Sequence, residues 1–107
     1  MRNGAASMAN GYIYAEIQVI SPLEYERWRV VSLKVIADFG GRFLVQRGNP
    51  RVLEGDKRVN LVMIVEFESR ERAMQWYEAM KKWKREQVDA ANLYAVLLTG
   101  HDEVEGS

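Results

Sequence analysis

Residues 12–19 alternate between two kinds of side chain, which is typical of a β-strand with one buried face. One set is aliphatic and comprises Ile13, Ala15, Ile17 and Val19. The other set is aromatic or polar and comprises Tyr12, Tyr14, Glu16 and Gln18. Further strands are predicted over 42–47, over 60–67, which is the most apolar run, and over 93–99. A short extended piece over 51–54, after the turn at 48–50, is expected to be hairpin-like.

The segment between the first two strands has apolar residues at helical spacing. Ser21, Pro22 and Glu24 predict where the helix begins, because a serine N-cap followed three residues later by glutamate can form a capping box. Gly40 and Gly41 predict where it ends, since glycine adopts the left-handed C-terminal conformation at little cost. The buried stripe of this helix is expected to comprise Tyr25, Trp28, Val31, Val35 and Phe39.

A second helix is predicted after Ser69, which is a favourable N-cap residue, and should fade near residues 90–91. Its buried side is expected to comprise Ala73, Trp76, Tyr77, Met80 and Trp83. The order strand, helix, strand, strand, helix, strand predicts an α+β fold, the ferredoxin-like βαββαβ plait, with an antiparallel sheet and both helices on one face. This single domain is expected to span 11–100, between a disordered N-terminal arm over 1–10 and an acidic C-terminal tail over 101–107.

The second face of the predicted sheet is mixed rather than purely polar. Besides the tyrosines and glutamates it carries four aliphatic residues: Val62, Ile64, Val96 and Leu98. Side by side they would form an apolar patch of roughly several hundred Å², larger than monomers usually expose. Because no second domain is available to cover the patch, a second copy of the chain is the simplest partner. The other interpretation is a sheet that is merely apolar on this face.

Composition narrows the classes of function. The 107 residues are enough for one domain. Cysteine is absent and His101 is the single histidine, which excludes thiolate chemistry and multi-histidine metal sites. The 15 basic and 15 acidic residues balance, which argues against nucleic acid and membrane surfaces as partners. No long uncharged apolar run and no signal peptide are present, so a cytoplasmic location is expected.

Several short motifs occur in an order and spacing that resemble a known family. They are GGRFLV at 40–45, RG at 47–48, VLEGD at 52–56, VEFES at 65–69, and Ala73 with WY at 76–77. The chain from about residue 11 to residue 100 resembles domain-of-unknown-function family 1330, of the dimeric alpha-beta barrel superfamily. The resemblance implies a ferredoxin-like fold and a homodimer whose two sheets form a shared barrel. It implies no established activity, and no cofactor is predicted.

Through this resemblance, Arg47, Glu54 and Arg85 are the first candidates for a site. Arginine offers a planar fork of donors suited to a carboxylate, so the two arginines could hold an anionic substrate. In that interpretation Glu54 or Glu66 acts as the acid or base. Since Arg47 and Glu54 flank a turn, they could face each other across it. The alternative interpretation is an ion-pair network that ties the turn to the helix.

The mixed face of the sheet supplies further candidates. Glu16 and Glu66 lie on strands expected to be neighbours, and two close carboxylates would raise the pKa of one of them. The alternative is that each carboxylate is partnered by tyrosine hydroxyls or water. Tyr14, with Tyr12 and Tyr94, is a candidate for ligand binding, although such aromatics also pack at interfaces.

Two hypotheses for function therefore stay open. The first is a small homodimeric barrel that binds or transforms a small anionic or aromatic metabolite without a cofactor. The second is a non-catalytic structural or interaction module with a packed barrel interior. Whether the protein is an enzyme is not decided by its sequence.

Overall fold

The computed structural model describes residues 9–58, 60–85 and 91–101, and for 83–85 the backbone alone. Its elements are β1 Gly11–Val19, α1 Pro22–Asp38, β2 Arg42–Val45, β3 Leu61–Phe67, α2 Arg70–Arg85 and β4 Ala91–Thr99. The sheet has four antiparallel strands in the order β2–β3–β1–β4. This arrangement confirms the predicted ferredoxin-like plait.

Strand β1 is central, and its pairing on both edges fixes which side chains of β3 and β4 face the helices. Ile13 lies opposite Val65 of β3 and Leu97 of β4, so each row of the sheet takes its face from β1. The predicted apolar sets of β1 and β3 do face the helices, where they form the core with residues from both helices. The buried residues of the core are Ile13, Ala15, Ile17, Tyr25, Trp28, Ile36, Met63, Val65, Phe67, Ala73, Trp76, Met80 and Ala91.

Helix α1 begins and ends at the predicted residues, but the predicted capping hydrogen bond at its start does not form. Gly40 has φ +75°, and its N–H donates to Ala37 O at 3.0 Å while the N–H of Gly41 donates to Ile36 O at 2.9 Å. These two bonds are those of a Schellman motif, which satisfies the last carbonyls of a helix. At the other end, Ser21 is the N-cap but its side chain makes no capping hydrogen bond. The predicted capping box is therefore wrong, and Glu24 pairs with Arg27 instead.

The buried stripe of α1 is rotated from the predicted one. Tyr25 and Trp28 are buried as expected, but the stripe continues through Ser32 and Ile36. Val35 is only half-buried. A serine can occupy the core here because its hydroxyl donates to the carbonyl of Arg29 at 2.9 Å, which meets its hydrogen-bonding need within the helix. Hydrophobicity alone could not indicate that position.

Helix α2 begins as predicted, since the N–H of Arg72 donates to Ser69 Oγ at 3.1 Å. Ala73, Trp76 and Met80 are buried and Tyr77 is half-buried. The predicted burial of the Trp83 side chain and the fading of the helix near residues 90–91 lie outside the described residues.

Strand β2 is shorter than predicted. It ends at Val45 rather than at residue 47, and its register with β3 is irregular between Phe43 and Val45. The expected hairpin-like piece over 51–54 is wrong: this segment belongs to no strand within the described part of the chain. Left-handed conformations at Gly48 and Asn49, with φ of 72° and 35°, turn the backbone away from the sheet edge.

Trp28 should anchor α1 to the core. It is 8% exposed and stacks on Tyr25 with ring centroids 5.6 Å apart. Trp28→Ala should lower the free energy of unfolding by about 3–5 kcal/mol, as large-to-small changes in a core do. Leu23→Ala, on the exposed surface of the same helix, should change it by less than about 0.5 kcal/mol. Urea unfolding of the two variants compares them, and equal losses would contradict the assignment.

Candidate functional site

A cavity of about 230 Å³ lies between the helices and the sheet, and we call it the helix cleft. Its lining residues come from three strands and both helices: Ile13, Ala15, Met63, Leu93 and Ala95 from the sheet, and Trp28, Trp76, Tyr77, Met80 and Lys81 from the helices. Ala15 and Ala95 are directly opposite each other in the register. Because these two neighbouring side chains are small, they do not fill the space between the sheet and the large side chains of the helices.

The helix cleft is apolar except at its mouth. Tyr77 and Lys81 are its titratable lining residues, and their spacing of four places them on one face of α2. Lys81 is exposed, so its ammonium group supplies a positive charge at the edge of an apolar space. Trp76 is buried in the wall, where its indole Nε1 has no hydrogen-bond partner among the described residues. A buried donor left unmet in this way costs about 1–3 kcal/mol.

On the face of the sheet away from the helices, which we call the open face, Glu66 is the centre of one polar cluster. Its carboxylate pairs with Arg42 Nε at 2.7 Å and accepts hydrogen bonds from the Tyr12 hydroxyl at 2.9 Å and from Asn10 Nδ2 at 3.0 Å. The guanidinium of Arg42, followed by the Tyr12 hydroxyl, holds the pKa of Glu66 below its ordinary value. The cluster fastens the start of β1 and the edge strand β2 to β3.

Glu16 is the centre of a second cluster on the open face. Lys57 Nζ lies 2.9 Å from its carboxylate and 5.1 Å from the centre of the Tyr94 ring, and the Tyr14 hydroxyl donates to the same carboxylate at 2.8 Å. Hydrogen bonds from Lys57 and then from Tyr14 lower the pKa of Glu16. The bond to Glu16 in turn raises the pKa of Tyr14. Lys57 thereby fastens the loop after β2 to the centre of the sheet.

Of the two interpretations of Glu16 and Glu66, the one in which they share a site with one raised pKa does not hold. Glu66 lies opposite Tyr12, which is four residues from Glu16 along β1, or roughly 13 Å at the rise of a strand. Each carboxylate has its own cation and its own tyrosine hydroxyl, so both pKa values are lowered. The alternative, in which tyrosine hydroxyls partner the carboxylates, describes the structure.

The structure does not bring Arg47 and Glu54 together. Arg47 pairs with Glu26 of α1 at 3.4 Å, and Glu26 also holds Arg29 at 3.1 Å. Glu54 is exposed in the loop after β2 and forms no ion pair within the described part of the chain. Arg85 ends α2, but its side chain lies outside the described residues. The contact of Arg47 therefore links the loop to α1 through Glu26, and not through Glu54.

The residues of the helix cleft were not predicted as a site. Trp28, Trp76 and Met80 carry only the signal of core residues, and Lys81 reads as part of a solvated helix face. The space between them depends on the register that pairs Ala15 with Ala95, which no local pattern contains. The one available signal was the presence of two small residues on an otherwise bulky apolar face.

No helix in residues 9–58, 60–85 or 91–101 is long and apolar enough to cross a membrane. Within the same ranges, no group of three or more histidine, aspartate or glutamate residues is placed to hold a metal ion.

Comparison with known proteins identifies a family and a fold but no activity. The sequence profile of a domain of unknown function (DUF1330) matches residues 10–100. The crystal structure of RPA0582, a protein of unknown function from Rhodopseudomonas palustris, is similar with a TM-score of 0.62 and 17% identity, over 89% of this chain and 85% of that chain. The structure of methylated RPA0582 protein gives 0.63 and 15%, over 92% and 85%. No curated protein matches the chain significantly.

The Glu66 cluster should make folding stability depend on pH. A carboxylate whose pKa is lower in the folded state stabilises the fold above its unfolded pKa, and this contribution is lost as the pH falls through the folded value. Glu66→Gln should therefore lower the free energy of unfolding near neutral pH, and the difference from the parent protein should shrink as the pH falls below about 4.5.

Urea unfolding over a range from about pH 6 to about pH 3 measures this difference. Glu68→Gln, at a carboxylate that is 77% exposed and 4.0 Å from Arg72, is the matched control and should have little effect. A difference between parent and Glu66→Gln that stays constant across the range would contradict the prediction.

Proposed function

Because the chain belongs to the DUF1330 family, whose description assigns no activity, we propose a function from the geometry of this chain: it binds a small aromatic or apolar molecule that carries an anionic group, in the helix cleft. The observation that carries the proposal is an apolar cavity between sheet and helices with the Lys81 ammonium group at its mouth. Ligand sites are commonly apolar concavities with a few polar groups that orient the ligand.

The size of the cleft limits the ligand. About 230 Å³ lies below the range of roughly 300–1,000 Å³ that holds drug-sized molecules. The cleft therefore suits a molecule with one ring or a short branched chain. The indole rings of Trp28 and Trp76 offer flat apolar surfaces to such a ring, and Met80 can adapt its unbranched side chain to the shape of the ligand.

The lining favours binding over catalysis. Among the described residues no carboxylate or histidine lines the cleft, and the titratable groups that do are Tyr77 and Lys81. Glu66 is occupied by three partners on the open face, and Glu54 is exposed in a loop. Catalysis by Glu54 or Glu66 stays a hypothesis, and so does ligand binding by Arg47, Arg85 or Tyr14.

The charge of Lys81 gives a direct test with a matched pair of probes. The carboxylate 3-phenylpropionate should bind more tightly than its neutral amide, because only the carboxylate gains the ion pair. Lys81→Gln should weaken binding of the carboxylate by about fivefold and leave the amide unchanged, since a partly exposed charge pair is worth up to about 1 kcal/mol. Lys82→Gln, at an exposed neighbour outside the cleft, should alter neither affinity.

Isothermal titration calorimetry measures the affinities. Ala95→Leu adds a second arm, because a larger side chain on the cleft floor should abolish binding of both probes while the protein stays folded. The absence of saturable binding by either probe, or equal effects of the two lysine variants, would contradict a ligand site at this position.

We further propose that two copies of the chain associate through their open faces. On this face Tyr94 is 58% exposed and Leu98 44% exposed, and Val62, Ile64 and Val96 are half-buried. The predicted side-by-side placement of the aliphatic residues is wrong, because β1 runs between β3 and β4 and places Tyr14 between Ile64 and Val96. These residues form a mainly apolar strip, in which Glu16 shares one end row with Val62 and Tyr94, and Glu66 shares the other end row with Leu98. An apolar centre with a polar surround is the usual anatomy of a protein–protein interface. Self-association by a two-fold axis would cover the strip in both copies.

A charge at the centre of the open face should break this association. Ile64→Glu should convert a particle of two chains into one of a single chain, because a buried unpaired carboxylate is strongly unfavourable. Leu23→Glu, on the outer surface of α1 where the side chain is 66% exposed, should leave the mass unchanged. Size-exclusion chromatography with light scattering gives both masses. The proposal would be contradicted if the parent protein had the mass of one chain, or if a folded Ile64→Glu variant were still a dimer.

A further inference from the structure

A second cavity, of about 460 Å³, lies at the end of the sheet where β1 finishes and where β3 and β4 begin, and we call it the sheet-end pocket. Unlike the helix cleft it is bordered mainly by polar side chains. The six that matter for its chemistry are Glu16, Gln18, Arg58, Asn60, Asn92 and Tyr94. The volume falls within the range of roughly 300–1,000 Å³ typical of small-molecule sites.

The register explains why these polar groups converge. Glu16 lies opposite Tyr94, and Gln18 lies opposite Asn92, so the two strands present successive polar rows at the end of the sheet. The loop after β2 then returns to the start of β3 and brings Arg58 and Asn60 to the same end. The contact of Lys57 with Glu16 fastens this loop beside the pocket.

Most of the charge around the pocket is already paired. Lys57 neutralises Glu16 at 2.9 Å, and the Tyr14 hydroxyl donates to the same carboxylate. Asn92 Nδ2 donates to Gln18 Oε1 at 3.2 Å, which uses one of its two hydrogens. Arg58 differs, because it makes no ion pair with any residue in the described ranges. Among the residues that the structure describes, the guanidinium of Arg58 therefore has no counter-charge, and it lies beside amide groups that can still donate hydrogen bonds.

We propose that the sheet-end pocket binds a small polar anion, whose carboxylate or phosphate group pairs with Arg58 while the amides of Asn60 and Asn92 bind its other oxygen atoms. The planar donor fork of arginine fits both kinds of anion, and two parallel hydrogen bonds give the pair direction as well as strength. The pocket differs from the helix cleft in its polar lining and in its ligand chemistry, and it does not depend on the ligand proposed for the cleft. It contains Glu16 and Tyr94 of the open face, so it lies at one end of the proposed dimer interface.

Nuclear magnetic resonance titration of the full chain with succinate, with inorganic phosphate and with neutral succinamide tests the proposal. Succinate or phosphate should shift the side-chain amide signals of Asn60 and Asn92 with saturation, and succinamide should not. Whichever anion saturates at the lower concentration identifies the preferred group. Arg58→Gln should weaken its binding by about tenfold, the loss expected when a charge-assisted pair is removed.

Arg51→Gln is the matched control, since Arg51 is an exposed arginine of the same loop that does not line the pocket. It should bind the anion as the parent does. Asn92→Ala supplies a second variant within a strand and should also weaken binding. Shifts that stay linear in concentration, equal effects of the Arg51 and Arg58 variants, or shifts confined to the helix cleft would each overturn the proposal. Failure of 3-phenylpropionate to bind would leave it unaffected.

Discussion

The pairing of β1 on both of its edges is the constraint on which the rest of the structure depends. Its partners β3 and β4 are held in fixed antiparallel register. Residues that lie opposite each other point to the same face, so the alternation of side chains along β1 also fixes which residues of β3 and β4 face the helices. A shift of one residue would exchange the apolar and polar sets and destroy both the core and the open face. Because the aliphatic set of β1 can be buried only against the helices, register and core specify each other.

The same register also fixes how far apart the charged groups of the open face lie. Glu16 and Glu66 both lie on the open face, yet the register holds them roughly 13 Å apart along the sheet. Each carboxylate is satisfied locally by a cation and a tyrosine hydroxyl, which lowers its pKa and keeps it ionised. These clusters fasten the edge strand and the loop after β2. Neither cluster includes a residue of the helix cleft, which is lined mainly by apolar side chains together with Lys81.

Local patterns in the sequence predicted most of the fold because each depends on a few adjacent residues. The alternation over 12–19, the serine cap at Ser69 and the glycine pair at 40–41 all gave correct elements. The predicted capping box does not form: the Ser21 side chain makes no capping hydrogen bond, and Glu24 pairs with Arg27 one helical turn away.

The candidate site was less predictable because its features depend on contacts between distant segments. The distance between two carboxylates, the choice of Glu26 as the partner of Arg47 and the meeting of Ala15 with Ala95 are fixed by register and loop path. A residue's type indicates that it can pair with an opposite charge or leave a space. Only the folded chain shows which neighbour it meets.

The claim that β1 gives the sheet two faces with different partners is tested most directly by solvent accessibility in solution. A soluble paramagnetic agent broadens the methyl signals that it can approach. If the open face is covered by a second copy, the methyl signals of Ile64, Val96 and Leu98 should be protected, and those of Leu23 and Val30 on the outer surface of α1 should broaden. Broadening of the three open-face residues to the same extent as Leu23 would contradict the account.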